Sequence, residues 1–174
     1  MDLTAINPIL LICSILVSAT PLLFAALGEL VVEKSGVLNL GVEGMMITGA
    51  ICGFAISVNT GSPYLGLVAA AGGGAVLALL FALLTQVALA NQVASGLSLT
   101  LFGLGLSALI GQGYQGIKPP EFPSIAVTIA EATDTRAALV ARLDFMVFAA
   151  IALTAATWAV LRYSRVGLIL RAVG

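Results

Sequence analysis

The sequence predicts an all-α fold, a polytopic transmembrane helical bundle of about five membrane segments. Three observations lead there. Sixty per cent of the 174 residues are hydrophobic and 9% are charged, against about 45–50% and about 25% in soluble domains. Too few polar side chains remain to cover a water-facing surface. Residues 3–28 and 44–117 contain no charged side chain, and the second run is long enough for more than one crossing at roughly 20 apolar residues each. Finally, small residues recur every four positions along these runs, the pattern that lets membrane helices approach closely. The runs are continuous in Leu, Ala, Val and Gly rather than alternating in polarity, so helices, not barrel strands, satisfy the backbone in lipid.

The segments fall at about residues 6–27, 38–58, 64–90, 93–111 and 145–161, within a single membrane domain. In the first, Pro8 suits a helix start. Pro21 lies inside and should kink or interrupt the last turns, with Ser14, Ser18 and Thr20 able to bond to the backbone there. Residues 28–37 carry Glu29, Glu33 and Lys34 and read as an excursion to a water-facing surface, closed by the turn residue Gly36. The second segment is expected to carry Asn39 and Glu43 into the bundle on its first turns. It ends in the turn cluster Asn59-Thr60-Gly61-Ser62-Pro63.

Segment three holds a small-residue ridge at Gly66, Ala70, Gly74, Ala78 and Ala82. Shorter ridges lie at Gly49, Gly53 and Ser57 in segment two and at Gly103, Ser107 and Gly111 in segment four. Together they predict small-xxx-small packing of a compact bundle. Gln86, Asn91 and Gln92 mark the turn between segments three and four. Residues 113–142 form the longest polar passage, with Lys118, Glu121, Glu131, Asp134, Arg136 and Arg142, and Pro119-Pro120 excludes regular helix. Segment five is charge-free over 17 residues, near the lower limit for spanning. Arg162, Arg165 and Arg171 follow it, and Trp158 and Tyr163 suit interfacial anchoring.

Cationic residues gather on the cytoplasmic side of membrane proteins, so those arginines place the C-terminal end inside. With five spans, Lys34 joins them, Lys118, Arg136 and Arg142 lie outside, and the N-terminus is outside. If segment two dips without crossing, the N-terminal half inverts. Asp2, with no Lys or Arg before the first apolar run, lacks the basic start of a cleaved signal peptide, so segment one is expected to remain as an anchor.

Several function classes are excluded. A net charge of −1 without a basic run offers nothing to nucleic acid. The chain has no histidine, which removes His-based metal sites and nucleophile–base pairs; no cofactor, metal or catalytic residue is expected. Cys13 and Cys52 sit in apolar runs, where a thiol serves as a small hydrophobe. Glu33-Lys34-Ser35-Gly36 is no phosphate loop, because the pattern needs glycine where Glu33 stands and a preceding strand. Glu43 has two readings. It is a functional carboxylate within a membrane helix, or a structural contact to backbone amides at a helix start or to Asn39. Gln86, Asn91 and Gln92 either line a polar pathway or form the wet end of a helical hairpin.

Glu33-Lys34-Ser35-Gly36-Val37-Leu38-Asn39-Leu40-Gly41-Val42-Glu43-Gly44 resembles the N-terminal signature of ABC-importer permeases of the ribose/nucleoside and branched-chain amino acid type. Asn91-Gln92-Val93-Ala94-Ser95-Gly96 is similar to the start of a later helix in those permeases. Residues 165–174 (Arg165 to Gly174) are similar to the segment leading into the loop that docks on the ATPase subunit. Order and spacing agree, and the sequence looks most like the N-terminal part of the shorter permease of nucleoside importers, which work with a basic-membrane-protein-type receptor. The family is nearly twice as long as this chain, so a fragment or a truncated product is expected.

The resemblance implies a subunit of the bacterial plasma (inner) membrane that passes a nucleoside or simple sugar by alternating access. Its implied partners are an ABC ATPase subunit, a second homologous permease and a lipoprotein or periplasmic solute receptor. Asn39, Gly41, Glu43, Gly44, Asn91 and Gln92 would lie near the translocation pathway, and Arg165, Gly167, Arg171, Ala172 and Gly174 would contribute to ATPase contact. A branched-chain amino acid importer is the alternative within the family. An ion-coupled carrier or channel using Glu43, or a structural subunit without a path, are the alternatives outside it.

Overall fold

The computed structural model describes residues 8–120, 122 and 145–174. These form six α-helices and, among the described residues, no strand. In order they are α1 (Pro8–Glu33), α2 (Val42–Thr60), α3 (Pro63–Ala82), α4 (Gln92–Gly111), α5 (Phe145–Tyr163) and α6 (Arg165–Val173). A π-helical turn, Leu83–Val87, extends α3, and a 3-10 turn, Gln112–Tyr114, extends α4. Five stretches are long and apolar enough to cross a membrane: Ser14–Glu33, Val42–Thr60, Pro63–Val87, Gln92–Tyr114 and Phe145–Tyr163. This is the all-α, five-segment architecture read from the composition. Glu121, Glu131, Asp134, Arg136 and Arg142, placed in the long polar passage, lie outside the described residues. The chain divides into two compact units: one holds α1 up to Val31 with α5 and α6, and the other holds α2, α3, α4 and their loops.

Within the first unit, α1 runs unbroken through Pro21. The proline lacks the N–H that would meet the carbonyl one turn back. Beside it the Thr20 hydroxyl donates to the Leu16 carbonyl at 2.8 Å, and the Ser14 hydroxyl donates to the Leu11 carbonyl at 3.2 Å. The helix outlasts the expected segment by a turn and a half, so Glu29 and Glu33 are helical and the polar connection begins at Lys34. At the other end of this unit α6 folds back on α5. Ser164 does this twice over, donating to the Val160 carbonyl at 2.6 Å and accepting from the Gly167 N–H at 3.0 Å as the N-cap of α6. Gly167 then rests directly on the last turn of α5, where a β-carbon would collide with the Val160 and Leu161 carbonyl oxygens.

The second unit shows why α1 stops where it does. Gly36 takes φ of +79°, its N–H bonds to the Glu33 carbonyl at 3.0 Å, and the Val37 N–H reaches back to the Val32 carbonyl at 3.4 Å. That is the paired bonding of a Schellman cap, which requires a left-handed residue that glycine supplies without strain. α2 then begins at Val42, later than expected, because the Asn39 side chain folds onto its own backbone and accepts the Gly41 N–H at 2.9 Å. An Asx turn of this kind competes with helix, so Asn39 sits just before the helix. Gly61 (φ +68°) ends α2, and Pro63 opens α3.

The inside of this unit is made of small residues. The buried positions of α2 are Gly44, Thr48, Gly49, Gly53 and Ser57. A β-carbon on Gly53 would lie 2.8 Å from the Ala70 Cβ and 2.9 Å from the Gly66 carbonyl oxygen, and one on Gly66 would lie 2.6 Å from the Ser57 Cβ. The ridges of α2 and α3 therefore interlock backbone to backbone, as the four-residue spacing predicts. Larger apolar side chains form a buried cluster near one end, where Leu77, Phe81 and Leu99 are buried with Val37, Met45 and Leu84 against them. At the opposite end Tyr114 receives the Asn59 amide on its hydroxyl at 2.8 Å and packs edge-on against Phe54 at 6.0 Å.

Candidate functional site

Two stretches far apart in sequence close on each other in the second unit. The Leu38 N–H donates to Gln92 Oε1 at 2.8 Å, and the Thr100 hydroxyl donates to the Leu40 carbonyl at 3.0 Å. Between these bonds Gly96 lies flat against the Leu40–Gly41 peptide: a β-carbon there would be 2.9 Å from both the Leu40 and Gly41 amide nitrogens. Further along, Gly103 faces Gly44, and a β-carbon on it would lie 2.6 Å from the Gly44 carbonyl oxygen. Asn91 completes the arrangement as the N-cap of α4, accepting the Ala94 N–H at 3.1 Å. The non-helical strip before α2 is thus pinned along α4 by two hydrogen bonds and the Gly96 contact, and the first turn of α2 by the Gly103–Gly44 contact.

Of the residues singled out from sequence, Asn39, Gly41, Gly44 and Gln92 take part in this clasp, and Asn91 starts the helix that forms it. Glu43 stands apart. It is exposed in the first turn of α2, where a carboxylate is favoured by the helix dipole, and no hydrogen bond holds it among the described residues. Arg165, Gly167, Arg171, Ala172 and Gly174 all belong to α6 or its end, in the other unit. Arg171 Nε donates to the Gly167 carbonyl at 3.2 Å, and Arg165, Ala172 and Gly174 are exposed.

Beside the clasp opens a cleft of about 370 Å³. Asn39, Phe81 and Thr85 are its buried floor, Met45 is a half-buried wall, and Ser35 and Gln86 bring polar atoms toward its rim. Among the described residues no charged side chain lines it. Asn39 Nδ2 is directed at the Met45 sulfur, 3.7 Å away. Thr85, within the π-helical turn, is buried, and its hydroxyl donates to the Phe81 carbonyl at 2.8 Å. The turn closes with bonds from Ala88 to Leu83 (3.0 Å) and from Ala90 to Leu84 (2.9 Å), and Leu89 takes φ of +54°. A π-turn and a left-handed leucine are both uncommon, and both concentrate where function constrains the backbone.

Gly96, though it closes the Asn91–Gly96 motif, was not singled out from sequence as a site residue, and neither were Thr100 and Thr85. Gly96 was within reach: it stands seven residues, two turns, before Gly103 and so shares its face. Thr100 and Thr85 gave no such sign, since a threonine inside an apolar helix ordinarily bonds its own preceding turn.

Among known families, that described as branched-chain amino acid transport system / permease component matches residues 11–174. The chain belongs to this family. Among curated relatives, it is 45% identical over 112 residues to a Haloferax volcanii protein provisionally named a glucose ABC transporter permease, covering 64% of this chain and 34% of that protein. It is 35% identical over 116 residues to the guanosine ABC transporter permease protein of Bacillus subtilis (63% and 36%). The nucleoside ABC transporter permease protein of Lactococcus lactis aligns over 185 positions at 28% identity, covering 95% of this chain and 56% of its own length. The chain therefore spans between about a third and just over half of these relatives. No solved structure matches it. With five apolar helices and this family membership, it is a multi-pass membrane protein.

Proposed function

We propose that this chain is the N-terminal part of the permease subunit of an ABC importer in a bacterial plasma membrane, which passes a nucleoside or simple sugar by alternating access. A separate ATPase subunit drives it, a lipoprotein or periplasmic receptor delivers the solute, and a second homologous permease completes the pathway. One observation carries the choice of solute: among the described residues the cleft beside the clasp has polar and apolar walls but no charge. A zwitterionic amino acid would bring two charges into such a site without a counter-ion, which is costly away from water. A nucleoside or sugar asks only for neutral hydrogen bonds and apolar faces, the usual make-up of a small-molecule pocket. The names of the relatives, for glucose, guanosine and nucleosides, support the same class.

Asn39, Gly41, Gly44, Asn91 and Gln92 hold the wall of this pathway, with Thr85 and Gln86 lining it. Glu43, exposed at the start of α2, serves as a dipole-stabilised helix start more readily than as the coupling group of a proton-driven carrier. In the other unit, Arg165 through Gly174 contributes to contact with the ATPase. The full-length permease, assembled with its ATPase and receptor in proteoliposomes, tests the reading through solute-stimulated ATP hydrolysis. Stimulation by a nucleoside or sugar and not by leucine is expected. Stimulation by leucine alone would move the chain to amino acid import, and pH-driven uptake without ATP that Glu43→Gln abolishes would establish a coupled carrier.

A further inference from the structure

A second cleft, also of about 370 Å³, lies within the other unit, between α1 and the α5–α6 corner. Its walls are mostly apolar, from Leu27 and Leu30 on α1 and Leu161 on α5, with Thr154 and Thr157 of α5 among them, and two arginines line it, Arg162 and Arg171. Arg162 is held by the aromatic pair at the end of α5: its guanidinium carbon is 5.5 Å from the Trp158 ring centre and 5.8 Å from that of Tyr163, with the two rings edge-to-face at 5.6 Å. Arg171 uses only Nε internally, on the Gly167 carbonyl. Among the described residues no hydrogen bond occupies the terminal nitrogens of either guanidinium. Residues 145–174 carry three arginines and no carboxylate, so the element itself supplies no counter-ion.

We infer that this cleft binds an anionic phospholipid, its phosphate between Arg162 and Arg171 and an acyl chain along Leu27, Leu30 and Leu161. The chemistry at each level fits. Trp and Tyr at the end of a membrane helix mark the headgroup depth. Guanidinium groups pair with phosphate through parallel N–H donors, and basic pockets between membrane helices capture anionic headgroups. Free phosphate shares the headgroup's charge but leaves the leucine-lined floor unused. This inference is independent of the transported solute, because its cleft contains none of the residues beside the clasp; it gives the Arg171 guanidinium to the lipid and leaves Arg165, Gly167, Ala172 and Gly174 for the ATPase contact.

Native mass spectrometry of the full-length permease, exchanged into detergent with defined lipid, tests it. Phosphatidylglycerol is expected to be retained and phosphatidylcholine not, with inorganic phosphate failing to displace the lipid. The double change Arg162→Gln with Arg171→Gln should weaken phosphatidylglycerol binding by roughly 30-fold, from the usual contribution of two cations at an anionic surface. Arg162→Lys with Arg171→Lys, which keeps the charge, should lose far less. If the double glutamine variant does not fold, Arg162→Gln alone gives the same comparison against Arg162→Lys. Equal retention of both lipids, binding unaffected by the glutamine changes, displacement by free phosphate, or a cleft closed by another protein segment would each overturn the inference.

Discussion

Thr100 ties α4 to a carbonyl sixty positions away in sequence, and its removal isolates the value of that link. Thr100→Val keeps the shape and deletes the donor, leaving the Leu40 carbonyl without this bond. A loss of about 1 kcal/mol is expected for a single neutral hydrogen bond, read as a lowered thermal midpoint of the purified full-length permease, and an unchanged midpoint would remove the bond from the clasp. Leu89 gives the opposite test. Its left-handed backbone costs roughly 1–2 kcal/mol, so Leu89→Gly should raise the midpoint, and where the strain serves transport solute-stimulated ATP hydrolysis falls at the same time; a lowered midpoint would contradict the strain. At this scale the sequence was only partly legible. Gly36 announced a turn and received one, whereas Asn39 looked helical because nothing in its neighbours reveals that its side chain will cap its own backbone.

Among the elements, the interlocking of α2 and α3 separates glycines that are needed from glycines that are merely present. Gly53→Ala places a methyl 2.8 Å from the Ala70 Cβ and should destabilise by about 1–3 kcal/mol, the usual cost of overpacking. Gly72 lies in the same membrane run with nothing within 4 Å of an added β-carbon. Gly72→Ala should be neutral or stabilising by up to about 1 kcal/mol through helix propensity. Equal effects at the two positions, in the same thermal assay, would contradict the packing. Four-residue spacing exposed these ridges before any coordinates, since periodicity determines which residues share a face. It could not say that Ala78 would line a cleft while Gly66 met Ser57. That depends on where two helices diverge, and no local pattern encodes it. The π-helical turn was invisible for the same reason: it is one residue more than an α-turn, within a run of uniformly helix-compatible side chains.

Across the molecule, the architecture follows from scarcity of charge. With so few polar side chains, the large apolar ones face outward: Leu101 is 71% exposed and Val68 is 68% exposed, an arrangement that water would penalise and hydrocarbon does not. Among the described residues most of the buried positions go to glycine, serine and threonine instead. Hydropathy therefore made the five membrane segments and their helical type plain, and the family signature drew attention to the strip before α2. What neither revealed was that Asn39 to Gly44 and Asn91 to Gly103 are two faces of one contact.

That contact and the uncharged cleft beside it make the central claim, and labelling of a single cysteine at Gln86 tests it most directly. The full-length permease, with Cys13 and Cys52 replaced by alanine and Gln86→Cys introduced, is assembled with its ATPase and receptor and treated with a membrane-impermeant, charged thiol reagent applied to each side in turn. If the cleft belongs to the solute pathway, the cysteine is labelled from one side and the rate changes at least several-fold when nucleoside or sugar and ATP are supplied together. A cysteine that stays unreactive from both sides, or reacts at the same rate whether or not solute and ATP are present, would contradict the claim.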